Sequence, residues 1–144
     1  MAAAVVVSRA LCCCTCMISN GKWAKKNKIE LDAMLTMVET KKGKIEYIKW
    51  GEAPYMLILP GTPGWAFFHF GFTGPHSAPF GAITVNRPGY GNVPLTEDNK
   101  TAEQQADLLV ALMDHLGIEK FPLLAASGGG CIGLRMAIQY PEKI

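Results

Sequence analysis

Ser127 stands in the run Ala125-Ala126-Ser127-Gly128-Gly129-Gly130, after a short apolar stretch (residues 121–126) and before a helix-like one (131–140). A serine in a sharp strand-to-helix turn between small residues has its hydroxyl held in strained exposure above the sheet. The small neighbours are the requirement, because a side chain larger than alanine at 125 or 129 collides where the backbone doubles back. Gly128 leaves its N–H beside that hydroxyl, at a helix amino terminus where negative charge is favoured. That geometry suits a developing oxyanion. The same glycines admit a second chemistry: Gly128-Gly129-Gly130-Cys131-Ile132-Gly133 spells Gly-x-Gly-x-x-Gly between a strand and a helix, the pattern of a dinucleotide-binding turn. The acid that would confirm it falls about 20 residues further on, past Ile144. That fingerprint also follows the first strand of its domain, whereas at least two apolar runs precede it here. A phosphate-binding P-loop is excluded, since no Gly-Lys-Ser/Thr follows any glycine cluster.

The elements that must position this turn are readable from periodicity. Residues 36–40 and 45–50 alternate in character and are joined by Lys41-Lys42-Gly43-Lys44, which predicts a hairpin. Residues 56–59 and 82–85 are short continuous apolar runs, as buried parallel strands require. The first is stopped by Pro60-Gly61-Thr62-Pro63-Gly64 and the second by Asn86-Arg87-Pro88-Gly89-Tyr90-Gly91. Residues 65–81, rich in phenylalanine, glycine and proline, show no helical period and are left unassigned. Residues 101–117 predict a helix, with Thr101 and Gln104 spaced as a capping box, Ala106, Leu109, Val110 and Met113 on one face, and Gly117 as the stop. Strand and helix in alternation predict an α/β domain with a mostly parallel sheet and flanking helices. Working residues of such sheets gather at the carboxyl ends of the strands, where the three turns lie.

Over residues 36–144 the sequence resembles the amino-terminal half of an α/β-hydrolase of the large serine-hydrolase superfamily. Leu59-Pro60-Gly61-Thr62-Pro63-Gly64 is similar to that family's oxyanion loop after its third strand, and Asn86-Arg87-Pro88-Gly89-Tyr90-Gly91 to its turn after the fourth. Ser127 then occupies the nucleophile elbow. The resemblance implies Ser127 as nucleophile toward ester-like acyl substrates, and an oxyanion hole formed by the backbone N–H groups of Thr62 and Gly128. Each such donor is worth roughly 3 kcal/mol of barrier. It implies neither a cofactor nor a metal. Two positions depart from the pattern: Pro60 stands where the family commonly has His, and Ala125 replaces the first glycine of Gly-x-Ser-x-Gly. In this family the catalytic acid and His follow the serine in chain order. The residues after Ser127 contain neither His nor Asp, and their one carboxylate is Glu142; His69, His76 and His115 all precede it. The expectation is therefore an incomplete hydrolase fold, inactive as it stands, with a noncatalytic hydrolase-like interaction protein as the alternative.

A length of 144 residues suits one domain, and 49% apolar against 18% charged residues excludes disorder over most of the chain. A formal charge of +2 with no basic and aromatic stripe argues against nucleic acid as partner. That charge is unevenly spread, because residues 1–29 carry Arg9, Lys22, Lys25, Lys26 and Lys28 and no acid. Residues 1–29 thus read as a leader and 30–144 as the folded unit. Arg9 divides the leader's apolar runs, so neither is long enough to span a bilayer. Its composition suits secretory or organelle targeting. Cys12, Cys13, Cys14 and Cys16 lack zinc-site spacing and lie too close together for relaxed disulfides. Beside the basic cluster they suit either reversible acylation with membrane-surface association, or a cleaved or disordered leader. Without such a leader the expectation is cytoplasmic. Cys131, alone in a helix-like segment, is expected to be a small buried apolar residue.

Overall fold

The structure, a computed structural model, describes residues 32–66 and 81–144. The expected leader, His69 and His76 lie outside the described residues. Strands β1 (Thr36–Thr40) and β2 (Gly43–Trp50) form the hairpin with Lys41-Lys42 at its tip, Thr40 facing Gly43. The Thr40 hydroxyl closes the turn by donating to the Gly43 carbonyl at 2.8 Å and accepting from the Lys42 N–H at 3.1 Å. Then come β3 (Tyr55–Leu59), β4 (Gly81–Asn86), helix α1 (Ala102–His115), β5 (Leu123–Ala125), helix α2 (Gly128–Gln139) and a 3-10 turn, Pro141–Lys143.

The five described strands form one sheet in the order β1-β2-β4-β3-β5. β3 pairs in parallel with both β4 and β5, as the continuous apolar runs required, while β1 with β2 and β2 with β4 are antiparallel. The sheet is therefore mixed, because β2 alone runs against the direction of the other four strands.

Helix α1 begins on the expected capping box: the Thr101 hydroxyl accepts from the Gln104 N–H and the Gln104 side chain accepts from the Thr101 N–H. It ends on Gly117 at φ 70°, whose N–H reaches the Asp114 carbonyl while the Ile118 N–H reaches that of Met113. Those two bonds satisfy the last carbonyls in a conformation that glycine adopts without strain. Ala106, Leu109, Val110 and Met113 are buried as expected, and so are Leu108, Ala111 and Leu112. Burial extends past one stripe because α1 packs on both the sheet and α2, joining Ile45, Leu57, Leu59, Ile83 and Val85 to Ile132 and Met136 in one core.

Helix α2 starts at Gly128, three residues earlier than the helix-like segment suggested. Cys131 is exposed, correcting the expectation of a buried residue. With α2 wound from Gly128, the positions that face inward are Gly129, Ile132, Gly133 and Met136, and Cys131 falls on the outer side with Leu134 and Ile138. No helix among the described residues is long and apolar enough to cross a membrane.

Candidate active site

The register of β3 with β5 builds the site. Leu59 pairs with Ala125, so the segments leaving these strands, residues 60–62 and 126–128, emerge side by side although about 65 positions separate them. The Ala126 N–H continues the pairing by donating to the Leu59 carbonyl at 3.1 Å, after which the chain reverses into α2. The Gly129 N–H bonds the Ala126 carbonyl and the Gly130 N–H that of Ser127, both at 2.8 Å. Ser127, at φ 46° and ψ −120°, is the one non-glycine residue with positive φ among the described residues. A β-carbon in that region costs of order 1–3 kcal/mol, which the closed turn around it must supply. The Ser127 side chain is exposed and makes no capping bond to its helix.

Close approach explains which neighbours are small. A Cβ on Gly129 would lie 2.7 Å from the Pro60 carbonyl oxygen and 2.8 Å from that of Leu59. One on Gly133 would meet the Ala125 Cβ at 2.7 Å, so glycine there lets α2 lie close against β5. Across the gap, a Cβ on Gly61 would lie 2.9 Å from the Ser127 Cβ, and one on Gly128 would lie 3.0 Å from Thr62 Oγ1. The structure thus brings Ser127, Gly128 and Thr62 together. The backbone N–H groups of Thr62 and Gly128 donate to no acceptor among the described residues, and Gly128 opens a twelve-residue helix whose amino terminus favours negative charge.

His115 and Glu142 are not brought to this place. His115 ends α1 before the chain enters β5, while Glu142 follows α2, which runs back from Ser127. The Phe121 N–H donates to the Lys143 carbonyl at 2.9 Å, which sets Glu142 beside the amino end of β5, opposite to Ser127. Among the described residues no group of three His, Cys, Asp or Glu could hold a metal ion.

Sequence patterns place Gly61 and Arg87 only within the turns that follow their strands and Glu46 only within the hairpin, whereas the structure gives each of the three a part at the site. Arg87 is half-buried, and its Nη2 donates to the Gly61 carbonyl at 3.0 Å with Thr62 Oγ1 at 3.5 Å. Glu46 is 4% exposed and accepts from Asn86 Nδ2 at 2.5 Å, Asn92 Nδ2 at 2.8 Å and the Asn92 N–H at 3.1 Å. Asn86 Oδ1 then takes the Ala66 N–H at 2.7 Å, tying the far end of the β3 loop to β4. One signal was present: Ile48 breaks the alternation of β2, which indicates that both faces of the strand are covered and that Glu46 is buried with it.

Away from the serine, a cleft of about 390 Å³ is lined by Lys41, Lys42, Asp98, Gln104 and Asp107 and contains no residue of the serine turn. Beside it Lys42 pairs with Asp107 and Lys41 with Asp114, each at 2.9 Å, fastening the hairpin to α1. The Tyr140 hydroxyl also donates to Asp107 at 2.6 Å. That bond, then partial burial and the neighbouring carboxylates, push the Tyr140 phenol up to about 12.

Comparison with known proteins agrees with this fold. Residues 54–144 match the model of the alpha/beta hydrolase fold. The uncharacterized hydrolase YcgS of Bacillus subtilis is 33% identical over 102 residues, covering 71% of this chain and 36% of its own. The 2-hydroxy-6-oxo-6-phenylhexa-2,4-dienoate hydrolase of Comamonas testosteroni is 30% identical over 105 residues, covering 69% and 37%. Among solved structures, an alpha/beta hydrolase fold protein from Nakamurella multipartita superposes with a TM-score of 0.64 at 32% identity, covering 76% of this chain and 38% of its own. The chain thus spans little more than a third of the length of these relatives. Because the family match covers residues 54–144, a range that holds β3, β4 and the serine turn, the chain belongs to the alpha/beta hydrolase fold family.

Proposed function

We propose that the protein is a serine hydrolase acting on ester-like acyl substrates, with Ser127 as the nucleophile and the Thr62 and Gly128 N–H groups as the oxyanion donors. The observation that carries this reading is the left-handed backbone of Ser127, wedged against Gly61 and followed at once by a helix. Strain of that kind at an exposed hydroxyl is characteristic of functional turns. In the reaction, Ser127 Oγ attacks the acyl carbon as its proton passes to a base, and the carbonyl electron pair moves onto oxygen between the two N–H donors. Collapse of that intermediate expels the leaving group with a proton and leaves an acyl-serine, which water then cleaves by the same steps. The base is a residue other than His115, which lies at the far end of β5. That the Comamonas relative is named a hydrolase supports a hydrolytic reaction.

The glycine pattern supports the serine turn over a dinucleotide site. Gly129, which the dinucleotide fingerprint leaves free, is the glycine pressed against backbone, whereas nothing lies within 4 Å of a Cβ on Gly130.

The test is labelling with a fluorophosphonate. The 144-residue chain is expected to label weakly, because donors without a base retain only a small residual rate. A longer product carrying a carboxylate and a histidine after residue 144 should label rapidly, and Ser127→Ala should abolish the reaction. Labelling that persists in Ser127→Ala would refute the nucleophile, and tight NAD binding lost on Gly130→Val would establish the dinucleotide reading instead.

A further inference from the structure

The peptide unit between Gly61 and Thr62 carries two groups that matter to the site, the Gly61 carbonyl and the Thr62 N–H. This peptide bond is trans, so the unit is planar and its two groups point in opposite directions. Arg87 Nη2 holds the carbonyl at 3.0 Å. Fastening one end of a rigid plane aims the other, and a cation bonded to the carbonyl polarises the unit so that its N–H becomes a stronger donor.

Arg87 is itself held for this. Its backbone N–H donates to the Gly64 carbonyl at 2.9 Å, and its guanidinium carbon lies 5.4 Å from the centre of the Tyr90 ring. The glycine at 64 leaves room for the side chain to pass, since a Cβ there would lie 2.7 Å from Nε. Among the described residues no carboxylate pairs with the guanidinium, and its Nε is buried without a partner. Among the described residues its positive charge is therefore not neutralised locally. It faces the serine turn, because a Cβ on Gly128 would stand 3.5 Å from Nη2 and 3.7 Å from Nη1.

We infer that Arg87 is a positioning residue of the oxyanion hole: it aims and polarises the Gly61–Thr62 peptide so that the Thr62 N–H meets the charge developing beside Ser127. This rests on the reading of Thr62 as an oxyanion donor. The test uses the full 144-residue chain, isotopically labelled, with Arg87→Met beside the unsubstituted protein. Loss of the hydrogen bond is expected to move the Gly61 carbonyl carbon and the Thr62 amide nitrogen upfield, while Ser127→Ala leaves both resonances in place. Unchanged resonances in folded Arg87→Met overturn the inference. Should that variant not fold, the unsubstituted protein decides, because a bonded guanidinium shows slowed rotation and a coupling from its Nη2 to the Gly61 carbonyl. A freely rotating guanidinium overturns the inference as well. In the labelling assay on the longer product, Arg87→Met should slow the maximal rate roughly tenfold or more without changing the probe concentration at half-saturation, since loss of one oxyanion donor costs about 10²–10³ in rate. Labelling abolished by Ser127→Ala yet undiminished in Arg87→Met refutes the positioning role and leaves the nucleophile standing. Labelling that survives Ser127→Ala removes both.

Discussion

Gly129 and Gly130 are adjacent, chemically identical and both in the first turn of α2, yet the structure assigns them opposite responses to a methyl group. At Gly129 the new carbon would meet Pro60 O at 2.7 Å, Leu59 O at 2.8 Å and Leu59 C at 3.1 Å. All three are backbone atoms of β3 and its exit, so relief requires α2 to move off the sheet and loosen Ile132 and Met136 in the core. Overpacking of this kind costs about 1–3 kcal/mol. At Gly130 nothing lies within 4 Å, so alanine there gains only its helix preference of roughly 0.5–1 kcal/mol. Gly129→Ala gains the same preference, which cancels in the comparison, and the two variants should differ by the overpacking cost alone. At about 4 °C per kcal/mol for a domain of this size, Gly129→Ala should melt roughly 4–12 °C below Gly130→Ala. Thermal unfolding of both, followed by tryptophan fluorescence, measures the difference. Equal melting temperatures, or Gly130→Ala the lower, would refute the packing of α2 against the β3 exit.

Ser127→Gly should stabilise the fold by about 1 kcal/mol, the relief of left-handed strain less the entropy of glycine, and a destabilised variant would contradict the strained turn. Glu46→Gln puts an NH2 group among three donors and should cost about 1–3 kcal/mol, with faster amide exchange at Ala66 and Asn92; unchanged exchange would dissolve the link from β2 to the β3 loop. Asp107 is held below the usual carboxylate range first by the Tyr140 hydroxyl and then by Lys42, and Asp114 by Lys143 and then Lys41. Depressed carboxylates contribute stability that is present above their unfolded values and lost as pH falls through the folded ones. The melting temperature should therefore drop below about pH 4, by the equivalent of only about 0.2–1 kcal/mol for each of these exposed pairs, and Asp107→Asn should flatten the drop. Tyr140 behaves in the opposite sense: its contribution is complete below its ordinary value of 10.0 and is lost as pH rises toward about 12, so Tyr140→Phe should remove that alkaline loss in a pH series of melts. Leu134 and Ile138 are 70% and 69% exposed on α2, and replacing both by Lys should raise soluble yield without lowering the melting temperature; a lower one would mean that they pack in solution.

What the sequence by itself determined is what neighbouring residues decide together. The capping box and the Gly117 stop bound α1 correctly, because each satisfies helix-end groups within a few positions. The small residues around Ser127 announced a strained turn, because the collision they avoid is local. The hairpin, the two apolar strands and the order of the three strand-end turns were legible for the same reason. Tertiary structure decided what depends on distant pairing. Alternation and apolar runs do not state a strand order, so the placing of β3 between β4 and β5, and with it the meeting of Thr62 and Ser127, came from register. The parts that Arg87 and Glu46 take at the site were not legible, because the covering of both sheet faces is a property of the whole fold. Cys131 turned outward because the face of α2 that packs inward carries Gly129, Ile132, Gly133 and Met136, and at 3.6 residues per turn position 131 falls off that face.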